Sequence, residues 1–135
     1  MTSAGHEIVT SAELAPPAGY AHAVVAAPGR VVYLGGQTAQ DAGGTVRGHT
    51  LVAQFERAAD NLLAALRAAG GAPDHLVSLT IYVTDMASYR ESTRALGASW
   101  RARFGRRYPA MALIGVNALL DPEARIELVG VAVVP

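Results

Sequence analysis

The sequence predicts a single α+β domain over residues 1–135, in which two helices pack on one face of a mixed β-sheet. Two observations carry this prediction. Apolar residues recur at helical spacing in two separate stretches, and outside these stretches they alternate or run continuously. The resulting order, β-β-α-β-α-β-β, is typical of an α+β sandwich with its helices on one side of the sheet.

The N-terminal third of the chain is predicted to be mostly extended. A short edge strand is expected near residues 6–10. Two β-prone runs, residues 21–27 and 30–34, flank Pro28-Gly29. This dipeptide suits a type II turn because Gly accepts a positive φ angle. The two runs are therefore predicted to form a β-hairpin.

Two helices are predicted in the middle of the chain. The first covers residues 50–69, with Thr50 as its N-cap and Gly70-Gly71 after its last turn. The second begins after Asp85, a residue type that favours the N-cap position, and ends before Pro109. A stripe of mostly large residues follows one face of this second helix: Tyr89, Thr93, Leu96, Trp100 and Phe104.

The remaining strands predict a sheet with one uncovered face. Residues 77–83 alternate between apolar and polar, as in a strand with one core face. Residues 110–120 and 125–134 are apolar on both faces, which predicts that both lie centrally in the sheet. The face away from the helices would then expose more apolar surface than a monomer usually tolerates. We therefore expect a ring-like homo-oligomer whose sheets line a central barrel.

The composition excludes several kinds of chemistry. The chain has no Cys, which excludes a thiolate nucleophile, a disulfide and a cysteine-ligated metal. It also has no Lys, which excludes a Schiff base on the protein. The four His, at positions 6, 22, 49 and 75, have no metal-ligand spacing. We expect neither a metal site nor a cofactor.

Charge and hydropathy limit the partners. The formal net charge is zero, so no basic field would attract nucleic acid or an anionic membrane. No apolar run approaches the roughly 20 residues that span a bilayer. The N-terminus lacks the basic and apolar blocks of a signal peptide, and a cytoplasmic location is expected.

Glu127 is the most informative candidate residue. It stands in an otherwise apolar strand, where a charge is costly unless it is paired or hydrogen-bonded. If it pairs with an Arg at a strand end or subunit rim, it is structural. If it faces a cleft, its carboxylate can hold a water molecule or a proton. The sequence leaves both interpretations open.

Several weaker candidates have equally plain structural interpretations. Tyr20 is either a surface or lid tyrosine or a ligand contact. Gly35-Gly36 offers backbone N–H groups to an anion, although Gly pairs at strand ends are common. Met111 by itself is typical of a side chain that packs in the hydrophobic core. Asn117 interrupts an apolar strand.

The Arg residues at the end of the second predicted helix form another candidate group. Their positions complement the helix dipole, which would make them a solvated face. Alternatively, one guanidinium clamps a substrate carboxylate. The group consists of Arg101, Arg103, Arg106 and Arg107.

These pieces together resemble the RidA (YjgF) family, in order, over nearly the whole chain from about residue 13 onward. The segments that carry the resemblance are Gly19 to Ala23, Leu34 to Gln37, Asn61 to Gly70, Val77 to Met86, Tyr108-Pro109-Ala110, and the closing strand with Glu127. The resemblance implies a chorismate-mutase-like α+β fold, a homotrimer, and ligand clefts between subunits. The best-known members of the family hydrolyse reactive enamines and imines to ketoacids and ammonia.

The chain departs from the family pattern at four positions. In deaminating members an Arg follows Pro-Ala and binds the substrate carboxylate, and this chain has Met111 there. A neutral thioether cannot make the bidentate contact of a guanidinium. Thr93 lies near the position of the family's site Asn, Gly35 replaces a Ser, and Leu113 replaces a frequent Cys.

The resemblance retains Tyr20, the Gly35-Gly36 backbone and Glu127 as the water-positioning part of a site. Two hypotheses follow for the function. The first is a diverged hydrolase for an uncharged or bulkier imine, enamine or related intermediate. The second is a non-catalytic trimer that binds a small metabolite or a partner. An RNA-cleaving activity, a label that some relatives carry, is disfavoured by the zero net charge and the few aromatic residues.

Overall fold

The computed structural model describes residues 2–135 and confirms the predicted fold class. A mixed four-stranded sheet carries the two main helices, and a small three-stranded sheet lies near the N-terminus. The strands are β1 (Thr2–Ser3), β2 (His6–Val9), β3 (Ala23–Val25), β4 (Arg30–Gln37), β5 (Leu76–Val83), β6 (Ala110–Gly115) and β7 (Ile126–Val134). The helices are α1 (Leu51–Ala68), α2 (Met86–Glu91) and α3 (Thr93–Phe104), with a short 3-10 helix at Pro73–His75.

The main sheet has the strand order β4-β7-β5-β6, with β5 and β6 parallel and the other pairs antiparallel. β7 is central, as predicted, and its side chains alternate between the helix face and the open face. Ile126 and Leu128 are fully buried under α1, whereas Glu127 and Val129 are only partly covered. This alternation is the period of an extended strand with one core face.

The other strand that is apolar on both faces does not lie centrally. β6 is an edge strand, with β5 on one side and a single bridge from Ala21 to Ala110 on the other. It ends at Gly115, so Asn117 lies in the loop before β7 and does not interrupt a strand. Ile114 is 42% exposed. The apolar pattern of β6 therefore arises because this edge strand exposes apolar side chains on the protomer, and not because the strand is central.

The predicted hairpin around Pro28-Gly29 is wrong. β3 pairs with β2 in the small sheet, whereas β4 pairs with β7 in the main sheet. Gly29 does not have a positive φ, so the type II turn is absent as well. A Cβ atom at position 29 would lie 2.5 Å from the Val134 carbonyl oxygen. Close approach to the end of β7, and not turn conformation, therefore explains this glycine. The first predicted strand is also central in its sheet, not an edge.

The first helix forms as the sequence predicts. The Thr50 hydroxyl accepts a hydrogen bond from the Ala53 amide at 3.1 Å, which satisfies one of the free donors of the first turn. Gly70, with φ +84°, follows the helix where a left-handed conformation is needed.

The second predicted helix is interrupted at Ser92, which separates α2 from α3. The Asp85 carboxylate caps α2 by accepting from the Ser88 amide at 3.0 Å, as predicted. At Ser92 the ψ angle rises to 7°, and its amide bonds to Tyr89 in a tightened last turn. The interruption makes Thr93 the first residue of α3.

The sheet face opposite the helices is uncovered in the protomer. On β4, Tyr33 is 81% exposed and Val31 is 54% exposed. The face is mixed and not uniformly apolar, because Thr80, Tyr82 and Glu127 also belong to it through the pairing of β5 with β7. Within residues 2–135, no helix has the length and hydropathy that crossing a membrane requires.

Gln54 connects α1 to the loop that precedes this helix and to the loop that precedes β7. Its buried amide donates to the carbonyls of Gly48 and Glu123 and accepts from the Arg125 amide at 2.8 Å. The side chain therefore fixes the chain immediately before β7.

We expect Gln54→Leu to lower the free energy of unfolding by about 3 kcal/mol, because it removes three hydrogen bonds to backbone groups, each worth about 1 kcal/mol. Gln40→Leu serves as the control, since Gln40 is exposed. Its effect should stay within about 0.5 kcal/mol. Urea denaturation measures both, and equal effects of the two substitutions would contradict this account.

Candidate functional site

A cleft of about 390 Å³ opens between β6, α3 and the loop before Ala21. Seven site positions follow from the family resemblance, and four of them line this cleft together: Tyr20, Thr93, Met111 and Leu113. Tyr20, Thr93 and the β6 pair Met111 and Leu113 are far apart in sequence, and the fold brings them to one place. A concave, largely apolar site of this size is typical of small-molecule binding.

The segment before β3 holds Tyr20 at the cleft. Gly19, with φ +75°, turns the chain there, and the Ala21 amide donates to the Pro109 carbonyl at 3.0 Å. The His22 imidazole fixes the preceding loop by accepting from the Ser11 amide at 3.0 Å and bonding the Ala15 carbonyl at 2.8 Å. Tyr20 itself is 38% exposed at the rim.

Met111 and Leu113 face the cleft because of the register between β6 and β5. They pair with Leu79 and Ile81, whose side chains lie in the core under the helices. Residues directly opposite each other on paired strands share a face. Met111 is half-buried and contacts the core, whereas Leu113 is 39% exposed.

Aromatic side chains form one wall of the cleft. Trp100 is 4% exposed, and its ring stacks on Phe104 with centroids 4.1 Å apart and on Tyr108 with centroids 5.4 Å apart. Its indole N–H donates to the Arg107 carbonyl at 3.2 Å, which fixes the ring. Tyr89 and Phe55 also line the cleft. The sequence placed Tyr89 and Trp100 on one stripe of the second helix, but it gave no sign that they form this wall.

The cleft is electrically neutral. Among the described residues, none that lines it carries a formal charge. Burial raises the pKa of the Tyr89 phenol, so this group stays protonated at neutral pH and remains a hydrogen-bond donor. The site as it stands in one protomer therefore suits an apolar body with neutral hydrogen-bonding groups.

The other three residues singled out lie on the opposite face of the sheet. Glu127 pairs with Tyr82 on the open face, and its carboxylate lies directly over Gly36. A Cβ atom at position 36 would be 2.5 Å from Glu127 Oε1, whereas one at Gly35 would meet no atom within 4 Å. Because position 36 has no side chain, the Glu127 carboxylate can occupy this space.

Glu127 has no Arg partner and no hydrogen-bond partner for its carboxylate within residues 2–135. The structural interpretation, an ion pair with Arg, is therefore not realised inside one protomer. The sheet separates this carboxylate from the cleft that contains Met111. The site residues form two groups, one on each face of the sheet.

Two of the four Arg residues at the end of α3 are held in ion pairs. Arg103 bonds Asp60 at 2.8 Å and Glu56 at 3.4 Å on α1, and the hydrogen bond to Asp60 raises the pKa of Arg103. Arg107 pairs with Asp74 of the 3-10 helix. These two side chains connect α3 to its neighbours, which supports the structural interpretation for them.

The comparisons with known proteins agree with this fold and with the order of its segments. The profile of the family described as endoribonuclease L-PSP, the RidA/YjgF family, matches residues 10–134. The chain belongs to this family. No curated protein matches its sequence.

Solved structures of family members are similar over most of the chain. The Rid-family protein YyfB from Yersinia pestis, a protein of unknown function, is 32% identical with a TM-score of 0.85, covering 96% of this chain and 98% of its own. A member of the YjgF/YER057c/UK114 family from Mycobacterium tuberculosis is 27% identical with a TM-score of 0.65, covering 96% and 99%. A putative endoribonuclease from Thermotoga maritima is 27% identical with a TM-score of 0.69, covering 86% and 87%.

Proposed function

We propose that this RidA-family protein binds a small reactive metabolite of the imine or enamine type and promotes its hydrolysis. The metabolite carries no carboxylate beside its reacting carbon. The observation that carries the proposal is the neutral aromatic cleft with Met111 at the position where deaminating relatives place Arg. A thioether fills apolar space and offers no bidentate partner for a carboxylate.

The neutral cleft favours an uncharged reacting end on energetic grounds. A carboxylate that left water for this cleft would lose its hydration without gaining a counter-charge, which is unfavourable. The hydroxyls of Tyr20, Tyr89 and Thr93 supply neutral hydrogen-bonding groups instead. The aromatic wall adds apolar contact area for a ring or a branched chain.

We further propose that the complete site forms between copies of the chain in a homotrimer. Two observations support this assembly. The sheet ends in two edge strands, β4 and β6, and its open face exposes the apolar side chains of Val31 and Tyr33. If the β4 edge of one copy adjoins the β6 edge of the next, the Gly36–Glu127 group approaches the cleft that contains Met111.

In such a site the Glu127 carboxylate would act as the general base. It would accept a proton from a water molecule as the water oxygen attacks the imine carbon. The nitrogen takes up that proton, which gives a carbinolamine. The carboxylate then moves the hydroxyl proton of the carbinolamine to the nitrogen as the carbon–nitrogen bond breaks, so that ammonia or an amine leaves and a carbonyl product remains. An enamine would first be protonated on carbon to give the imine. The backbone N–H groups of Gly35 and Gly36 would orient the polar end of the substrate.

The alternative is a trimer that binds its metabolite without catalysis. Within one protomer Glu127 lies on the other face of the sheet from the cleft, so the cleft can bind a ligand without this carboxylate. Catalysis would in addition require an interface that brings Glu127 to the ligand. RNA cleavage, which the family description and some relatives' names suggest, has weaker support. The chain has no net positive charge to attract a phosphate backbone.

The proposal that Met111 cannot bind a substrate carboxylate predicts the effect of Met111→Arg. The wild-type protein should accelerate the decay of an amino-acid-derived 2-imino acid only weakly, and Met111→Arg should increase this rate by about tenfold or more, since a guanidinium pairs with the carboxylate. Decay is followed by absorbance while the imine is generated in situ. Leu113→Arg, in the same strand and cleft, is the matched control and should gain less.

The catalytic hypothesis predicts the effects of changes at Glu127 and Gly36. With a neutral imine generated from benzylamine by an amine oxidase, Glu127→Gln should reduce turnover about 100-fold through loss of the general base. Gly36→Ala should also impair turnover by displacing the carboxylate, whereas Gly35→Ala should not. Full activity of Glu127→Gln, with the assembly intact, would refute Glu127 as the general base, whereas no turnover by the wild-type protein would support the non-catalytic alternative.

The assembly predicts the effect of a charge at position 33. Tyr33→Glu should convert the trimer to monomers in sedimentation velocity, because it places a carboxylate on the buried face of the assembly. Leu120→Glu is the control, since Leu120 is fully exposed in the loop before β7. It should leave the trimer intact. A wild-type protein that sediments as a monomer would refute the shared site.

A further inference from the structure

Arg101 lies at the edge of the cleft on the α3 side. In a helix, long side chains lean back over the preceding turn, which here contains Gly97. A Cβ atom at position 97 would lie 3.3 Å from Arg101 Nη1, so the guanidinium rests against this glycine. Gly97 is itself one of the residues that line the cleft. The guanidinium therefore reaches the rim of the cleft from the helix.

Arg101 is also available to bind an anion. It is exposed, and within residues 2–135 no carboxylate pairs with it. Its neighbours Arg103 and Arg107 are held by acidic residues, as described above. A cationic group that borders a cleft without charges attracts an anionic ligand to its mouth.

We infer that Arg101 binds a carboxylate of the ligand at the mouth of the cleft, while an aromatic or branched apolar body fills its interior. This inference rests on the proposed function, because it assumes that the cleft binds the ligand. It deepens that proposal by naming a substrate class. The ligand is an amphipathic acid whose carboxylate lies far from the reacting carbon.

The position of Arg101 distinguishes this mode of binding from carboxylate binding at position 111. Met111 lies on β6, on the sheet side of the cleft, whereas Arg101 projects from α3 on the opposite side. A ligand anchored by Arg101 would therefore direct its apolar end towards the strand. Gly97 permits this arrangement, since a side chain at position 97 would compete with the guanidinium for space.

A pair of probes that differ only in charge tests the inference. We would titrate the wild-type protein calorimetrically with 2-naphthoate and with 2-naphthamide. The naphthoate should bind about tenfold more tightly, the gain typical of a charge-assisted hydrogen bond. Arg101→Gln should abolish this preference by weakening naphthoate and leaving naphthamide unchanged. Arg106→Gln, which changes an exposed Arg with no ion pair in the described part of the chain, should preserve the preference.

The outcomes separate the inference from the proposed function. If both probes bind wild type equally, or if Arg101→Gln keeps the preference for naphthoate, the assignment of Arg101 is overturned while the cleft stands as a binding site. If neither probe binds, and the fluorescence of Trp100, the only tryptophan, does not change, the cleft itself is overturned as a ligand site together with the proposed function. Preferential binding that depends on Arg101 alone supports both.

Discussion

The central position of β7 is the constraint on which the rest of the structure depends. Hydrogen bonding to β4 on one side and β5 on the other fixes this strand in two registers at once. One of its faces is then fully buried under α1 through Ile126 and Leu128. A shift by one residue would expose these side chains and bury Glu127, so the register is strongly determined. Every other element of the main sheet is placed relative to this strand.

The same constraint explains why a carboxylate persists in a strand that is otherwise apolar. Glu127 lies on the open face, where it is only half-buried and Gly36 leaves room for it. Within residues 2–135 no cation pairs with Glu127, whereas a purely structural carboxylate in such a strand would be expected to have an ion-pair partner. In the proposed trimer this group would be enclosed next to another protomer's cleft. An unpaired carboxylate in an enclosed site has the properties required of a general base.

The sequence was sufficient for the local features. Thr50 and Asp85 cap helices as predicted, and the alternation over residues 77–83 gives a half-buried strand. Each of these signals acts over a few residues, so it can be read without knowledge of the fold. The hairpin at Pro28-Gly29 failed for the opposite reason. The turn signal was local, but the partner of each strand is remote, and β4 pairs with β7 instead of β3.

The sequence by itself determined the fold class and the family resemblance, and it predicted that Met111 stands where deaminating relatives have Arg. Only the tertiary structure decided where the site residues lie relative to one another. Met111 and Glu127 occupy different strands, and the face that each points to depends on how those strands pair with β5. Alternation within a strand is visible in a sequence, but the phase between two strands is set by long-range hydrogen bonds. For the same reason, only the structure showed that Arg101 lies against Gly97 at the rim of the cleft.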